Sequence, residues 1–199
     1  MALRGAEEAC LDCIDCPEQV LLRVDQVFEV YREVYNRLLA IIHERQQGAT
    51  CWMGIWHPEK AWYPVSSDFC CMVNREMFEA LIVPGLEREL DFLEGSMYHL
   101  DGPGALQHLD RILSFPKLNG VQWVRGAGAP PTRTWLDVLL RIQAAGKNVQ
   151  VDCEEEDLEP LCQALAPEGV HLVIQAKDPS HAEALVEKVE GIYYRRRFR

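Results

Sequence analysis

Short apolar runs that end in polar or glycine-rich residues recur along this chain. They lie at residues 51–56, 96–100, 120–124, 148–152 and 169–174. Runs of this length, bounded by turn residues, are typical of buried strands. Between them apolar residues recur three and four positions apart, as on one face of a helix. The alternation predicts right-handed βαβ connections and a parallel sheet.

Five strands are too few for a closed (β/α)8 barrel, which needs eight. The sequence therefore predicts an α/β fold with about five parallel strands and flanking helices. This is either an open sheet or an incomplete (β/α)8 TIM-barrel-like fold. A chain of 199 residues is expected to form a single domain over residues 1–199.

Capping residues mark the ends of the predicted helices. A long helix follows a cap at Asp15 or Cys16 and stops at Gly48, and Asn74 caps a helix over about 75–93 that Pro84 is expected to kink or divide. Further helices are predicted over 6–16, 103–114 and 132–145, from 154, and after a cap at Asp178 or Ser180.

The strand at 96–100 runs directly into a polar turn. His99 and Asp101 are two residues apart, so their side chains project to the same side. Gly102 lets the backbone leave the strand sharply. The carboxyl ends of parallel strands carry the sites of α/β proteins. His99 and Asp101 therefore mark the candidate functional site of the predicted fold.

Three tryptophans, a tyrosine and a histidine lie within residues 52–63. They either line an aromatic pocket or pin this loop to the core by their rings.

Charge and hydrophobicity limit the classes of partner that this chain is expected to bind. A net charge of −11 disfavours nucleic acid as a partner, because phosphates repel an acidic surface. The basic run 195–199 either contacts an anionic partner or is a solvated tail. No apolar run is long enough for a membrane helix, and the first residues do not resemble a signal peptide. We therefore expect a cytoplasmic location without a membrane partner.

Eight cysteines without a secretory signal are expected to be reduced thiols. Cys10, Cys13 and Cys16 have a C-x2-C-x2-C spacing that resembles part of an iron–sulfur binding run. Alternatively, they are small apolar residues of a helix.

Three stretches resemble the uroporphyrinogen decarboxylase superfamily, which includes the corrinoid-dependent methyltransferases. Residues 67–78 continued by 83–88 resemble a strand-loop and helix of that family, 98–102 resemble its His-x-Cys-Gly strand end, and the three following βα units resemble the C-terminal part of its barrel. The resemblance covers about residues 3–192, and residues 3–5 resemble a segment that elsewhere follows the early strands. It implies that about three βα units are missing or come from another chain, and that a homodimer or partner covers the open barrel edge.

The resemblance also implies a chemistry. Zinc-dependent methyltransferases of the superfamily bind the metal through His-x-Cys and a later cysteine, and activate a thiol acceptor. His99 matches the histidine, Asp101 replaces the first cysteine, and residues 175–177 offer no cysteine where the last is expected. On this resemblance His99 and Asp101 are candidate zinc ligands, with Cys153 or Asp68 as the third; the alternative is a hydrogen-bonded pair that binds a polar substrate or orders the turn. The methyl donor that it implies is a corrinoid carried by a partner protein.

Three functional hypotheses follow. The first is a corrinoid-linked methyltransferase, or a truncated derivative of one, that acts on a small-molecule substrate. Its predicted catalytic residues are His99, Asp101 and Asp68, and its predicted substrate contacts are Tyr63, Gln122, Trp123 and Asp152. The alternatives are a non-catalytic half-barrel that acts as a binding or assembly module, and a porphyrinogen decarboxylase.

Overall fold

The computed structural model describes residues 4–58 and 61–197. The strands are β1 Ala49–Thr50, β2 Trp56–His57, β3 Val65–Ser66, β4 Met97–Asp101, β5 Gly120–Val124, β6 Asn148–Asp152 and β7 Val170–Val173. The helices are α1 Ala6–Asp15, α2 Pro17–His43, α3 Arg75–Met77, α4 Val83–Phe92, α5 Leu109–Leu113, α6 Leu136–Ala144, α7 Glu155–Ala164 and α8 Pro179–Arg197. Three 3-10 helices, Asp68–Met72, Pro103–His108 and Thr132–Trp135, and a π-helical turn, Phe78–Ile82, complete the described elements.

Five strands form one parallel sheet in the order β3-β4-β5-β6-β7. Each strand lies beside the next one along the chain, and helices or helical turns connect them. Because parallel neighbours require a crossover, this order is the one that repeated βα units produce. The predicted α/β fold with five parallel strands and flanking helices is confirmed.

The predicted strand at 51–56 is wrong. Strand β1 ends just before it at Thr50, and β2 begins at its last residue, Trp56; the two pair antiparallel as a separate two-stranded sheet. Between them the chain turns back at Gly54, which has a φ of 72° and donates its N–H to the carbonyl of Cys51. A left-handed glycine interrupts an extended strand, whatever the hydrophobicity of its neighbours. The first strand of the parallel sheet is β3, which has only two residues.

Pro84 divides the predicted helix over 75–93, as expected. Asn74 caps α3 by accepting a hydrogen bond from the N–H of Met77 at 2.8 Å. The chain then widens into the π-helical turn, where the N–H of Val83 donates to the carbonyl of Phe78. Proline has no N–H, and its ring crowds the carbonyl four residues earlier, so a regular helix cannot continue through it. The π turn relieves this clash, and α4 begins with Pro84 in its first turn.

The long helix α2 begins as predicted, with Cys16 at the cap and Pro17 in its first turn. It ends at His43, before the predicted stop at Gly48. None of the described helices, α2 included, is long and apolar enough to span a membrane.

The chain forms two compact units. The first contains the residues up to His99 together with Gly104–Asn119, and the second contains Leu100–Pro103 together with the residues from Gly120 onward. The first unit buries, among others, Val65, Phe78, Leu86, Tyr98 and Leu109; the second buries Val121, Leu139, Ile142, Val149 and Leu161. The expectation of a single domain stays a prediction.

The basic run at the end of the chain is part of a helix. Arg195–Arg197 form the last turn of α8, and the guanidinium of Arg196 donates hydrogen bonds to the carbonyls of Cys162 and Leu165. The last carbonyls of a helix lack partners within it, so Arg196 satisfies the end of α7. Phe198 and Arg199 lie outside the described residues. So does Leu3, the first residue of the stretch that resembles the superfamily.

Candidate metal-binding site

Asp68, His99 and Asp101 come together in the structure. Each offers one ligand atom, and these atoms all lie within 4.8 Å of one another. Within residues 4–58 and 61–197, no other group of three or more histidine, cysteine or acidic side chains meets this spacing. Asp68 and Asp101 are exposed and His99 is half-buried, so the group opens to solvent.

Strand β4 supplies two of the three side chains. His99 and Asp101 alternate with the buried Tyr98 and Leu100, so the two candidate ligands lie on one side of the strand, and Tyr98 and Leu100 lie on the other. Gly102 follows with a φ of 76° and donates its N–H to the carbonyl of Val124 at 2.8 Å. The strand therefore ends at Asp101, one residue beyond the predicted end at 100.

The third side chain comes from the segment after β3. Ser66 pairs with His99 in the parallel register, and Asp68 follows two residues later at the start of a 3-10 helix. This helix is held from within the core: His108 Nε2 lies 2.9 Å from the carbonyl of Cys70, and the Tyr98 hydroxyl lies 4.0 Å from Cys70 Sγ. These contacts fix the position from which Asp68 reaches His99.

His108 supports this helix through a buried hydrogen bond. Its ring stacks on Phe78 with the centroids 4.1 Å apart, and it is almost fully buried. A carbonyl can only accept, so Nε2 carries the proton in the bond to Cys70. Nδ1 has no hydrogen-bond partner among the described residues. The imidazole is therefore a structural support beneath the candidate site.

Trp52 lies at the edge of the site. Its indole meets the His99 imidazole edge-on, with the ring centroids 4.9 Å apart, while 59% of Trp52 remains exposed. It sits on the turn between β1 and β2. A large exposed aromatic ring beside a histidine provides an apolar edge for a bound molecule.

The donor set fits a divalent ion of intermediate hardness. Zinc accepts imidazole nitrogen and carboxylate oxygen, and a tetrahedral ion separates its ligand atoms by about 3.4 Å. The three ligand atoms all lie within 4.8 Å of one another, so no more than small side-chain rotations are needed to reach this spacing. Three protein ligands leave a fourth position open, as in catalytic rather than structural zinc sites.

Cys153 is not part of this group; Asp68 is the third member in its place. Cys153 is buried after β6, and burial raises the pKa of its thiol to about 12. A metal ligand must be a thiolate, which such a pKa disfavours near neutral pH. Of the two alternatives for a third ligand, the structure brings Asp68 to His99 and Asp101.

Tyr63 and its neighbours mostly pin their loop to the first unit. Trp62 is buried, stacks on His57 at 5.3 Å and donates its indole N–H to the carbonyl of Ile55. Tyr63 packs edge-on against Tyr35 at 6.1 Å. These contacts favour the pinned-loop alternative for both residues. Glu59 and Lys60 of this loop lie outside the described residues.

Of the three predicted substrate contacts on the later strands, two are buried and one is exposed. Trp123 is buried, and its ring lies 5.1 Å from that of Trp135, which belongs to the turn that precedes α6. Gln122 is buried on the other side of β5. Asp152 is exposed at the end of β6, where its carbonyl accepts a hydrogen bond from Thr132.

Sequence reasoning missed a row of polar residues across the sheet. Gln122 pairs in register with Gln150, and Gln150 pairs with His171. Gln122 and Gln150 are buried, whereas His171 is exposed. The repeated glutamine at the third position of two strands could have indicated the row, since equal positions on paired strands share a face.

The three amino-terminal cysteines do not appear as a ligand group among the described residues. Cys10 and Cys13 lie on α1, which ends at Asp15, and Cys16 caps the next helix. Burial raises the pKa of the Cys13 thiol. This environment fits the alternative in which they act as small apolar residues.

Comparison of the chain with protein-family models, with curated proteins and with solved structures found no match.

Proposed function

We propose that Asp68, His99 and Asp101 bind a divalent metal ion, with zinc as the first candidate. One observation carries this proposal: a histidine and two carboxylates offer ligand atoms within 4.8 Å of one another, at the carboxyl end of β4 and in the segment after β3. This is the end of a parallel sheet at which α/β proteins place their sites. The net charge of −11 also favours a cation over an anion.

The reaction that we propose for this centre is methyl transfer to a thiol. It rests on the resemblance to the corrinoid-dependent methyltransferases and on the open fourth position that three protein ligands leave. When bound, zinc supplies a Lewis acid that lowers the pKa of a coordinated thiol. Asp68, His99 and Asp101 would hold the metal, and Trp52 would shield one side of the acceptor from water. A corrinoid carried by a partner protein stays the predicted methyl donor.

The proposed fold assignment accompanies this function. We propose that the five parallel strands correspond to the later strands of a (β/α)8 barrel of the uroporphyrinogen decarboxylase type. The supporting feature is the strand order, in which each strand lies beside its successor as in a barrel.

Metal analysis of freshly purified protein tests the centre. We expect about one equivalent of zinc per chain, and a loss of at least tenfold in metal affinity for His99→Ala or Asp101→Asn. The matched controls are His171→Ala and Asp137→Asn, because both residues are exposed and lie outside the group. Metal-free protein that also fails to bind added zinc would refute the site. Stoichiometric manganese or iron instead of zinc would keep the site and refute the choice of ion.

A second experiment separates binding from catalysis. Zinc-loaded protein is mixed with free methylcobalamin and a small thiol, and demethylation of the corrinoid is followed by its absorption spectrum. We expect transfer that His99→Ala abolishes and His171→Ala retains. Full metal occupancy without transfer would refute the methyltransferase proposal and favour the non-catalytic module.

A further inference from the structure

Helix α2 exposes a continuous apolar stripe. Val27, Val30, Val34, Leu38 and Ile41 are each between 48 and 64% exposed. At 100° per residue they lie within an arc of about 80°, over a length of about 21 Å. We call these five residues the α2 stripe. Such a patch on a soluble protein marks an interaction surface.

A neighbouring side of α2, about 90° round the helix from the α2 stripe, is already packed. Phe28, Tyr31 and Tyr35 each contact the ring of Phe92 on α4, with centroids 5.5 to 6.2 Å apart. Gly85 lets the two helices approach closely, because a side chain there would meet Val24 at 3.0 Å. Since α2 is held by this face, turning the helix to bury the α2 stripe would expose these aromatic rings.

We infer that the α2 stripe is the contact surface for a second copy of this chain, with the two α2 helices antiparallel. The stripe residues are spaced by three, four, four and three positions, and this spacing is the same in both directions. A two-fold axis at Val34 therefore pairs Val27 with Ile41 of the second copy and Val30 with Leu38. Each pair joins a smaller to a larger side chain, which favours interdigitation. In an isologous interface both copies use the same surface, so a stripe with the same spacing in both directions can pair with itself.

The charges beside the stripe are also self-complementary. Glu33 and Arg37 flank the same side of the α2 stripe, 3.7 Å apart, and both are more than 70% exposed. In the antiparallel pair Glu33 lies within about 3 Å, along the helix axis, of the level of both Arg37 and Glu33 from the second copy. Two glutamates and two arginines, with no net charge between them, would thus border the apolar contact, as flanking charges do in helix pairs.

Val34→Glu tests the inference, with Asn36→Glu as the matched control. Position 36 is exposed on the same helix but points about 160° away from Val34. The molar mass of each protein is measured by sedimentation equilibrium over a range of concentrations. We expect a dimer for the wild type and for Asn36→Glu. Val34→Glu should dimerise at least tenfold more weakly, because two carboxylates meet at the axis.

Disulfide cross-linking identifies the partner and the register. In Val34→Cys, two thiols meet at the two-fold axis, so mild oxidation should give a covalent dimer. Asn36→Cys, which carries the same eight native cysteines, should not exceed the wild-type background. A wild type that is monomeric at every concentration would overturn the inference. So would a dimer that survives Val34→Glu, or a Val34→Cys variant that cross-links no better than Asn36→Cys. Metal binding by Val34→Glu is expected to be unchanged, so this outcome is independent of the proposed function.

Discussion

Adjacent residues of β4 carry opposite properties. Tyr98 is buried with its hydroxyl near Cys70, and burial raises its pKa above the ordinary value of tyrosine. His99 is half-buried and Asp101 is exposed, and both belong to the candidate metal group. The alternation of side chains along a strand explains this division, because residues two apart share a face. The core therefore fixes the backbone that presents the candidate ligands.

Glu89 provides a prediction at the same scale. Burial raises the pKa of its carboxyl to about 7, from an ordinary value of 4.5. The native state thus holds a proton that the unfolded state has released, and the free energy of unfolding should fall as the pH rises from about 4.5 to 7. Glu89→Gln should remove this dependence and stabilise the protein above pH 7 by up to about 3 kcal/mol.

Urea unfolding of the wild type and Glu89→Gln at several pH values between about 5 and 8 measures the effect. Glu76→Gln is the control, since Glu76 is exposed on α3. Equal slopes of stability against pH for wild type and Glu89→Gln would show that Glu89 does not hold the proton.

The candidate ligands were predictable only in part. The spacing of His99 and Asp101 on one strand is a local property, so the sequence reveals that they share a face. The nearness of Asp68 depends on the pairing of Ser66 with His99, and β3 is too short to form a recognisable apolar run. Sequence reasoning therefore left Asp68 and Cys153 as alternatives for the third ligand. The pairing of β3 with β4, which lie far apart along the chain, decides for Asp68.

At the scale of elements, a single carboxylate joins two helical segments of the second unit. Asp157 is buried in the first turn of α7 and accepts hydrogen bonds from the N–H of Glu154 at 2.9 Å and from the backbone and guanidinium of Arg133 at 3.1 and 2.8 Å. Burial alone would raise its pKa, but these hydrogen bonds outweigh burial and lower it. The carboxylate thereby ties α7 to the turn Thr132–Trp135.

Asp157→Asn should therefore destabilise the protein by about 2–3 kcal/mol, because the amide cannot accept all three hydrogen bonds. A lowered pKa means that this stabilisation is present above the ordinary pKa of aspartate and is lost as the pH falls through the native value. The wild type should lose its advantage over the variant in acid. Urea unfolding followed by tryptophan fluorescence measures this, and the exposed Glu156→Gln should behave like wild type. A variant as stable as wild type at neutral pH would contradict the expectation.

The predicted strands are correct where a continuous apolar run ends at a turn residue. The strands at 96–100, 120–124, 148–152 and 169–174 correspond to β4, β5, β6 and β7 within about one residue at each end. The failures have local causes. Gly54 turns the run at 51–56 back on itself. The predicted helices at 103–114 and 132–145 both begin as 3-10 turns, at Pro103 and after Pro131, before α5 and α6. Hydrophobic periodicity does not distinguish a 3-10 turn from the start of an α-helix.

At the scale of the whole molecule, the eight cysteines differ in environment. All eight are free in the structure, and the expectation of reduced thiols stays a prediction. Cys71 is exposed, Cys10, Cys16 and Cys51 are partly buried, and Cys13, Cys70, Cys153 and Cys162 are buried. Burial raises the pKa of the Cys70 thiol to about 11 and lowers the fraction of reactive thiolate.

Timed alkylation with mass spectrometry should therefore label Cys71 first, the three partly buried thiols more slowly, and the four buried thiols only after unfolding. Cys71→Ser removes the fastest site and serves as the control. Rapid labelling of Cys70 or Cys162 in native protein would contradict the described core.

The two units interleave along the chain, and this affects the order in which a newly made chain can fold. The first unit is interrupted at Leu100–Pro103 and ends only at Asn119. Asn119 makes two hydrogen bonds to Ser96, the residue before β4. Its side-chain oxygen accepts from the N–H of Ser96 at 2.8 Å, and its own N–H donates to the Ser96 carbonyl at 3.0 Å. A ribosome releases the amino-terminal part of a chain first. In a nascent chain the start of β4 therefore cannot complete its hydrogen bonds to Asn119 until residue 119 has left the ribosomal exit tunnel.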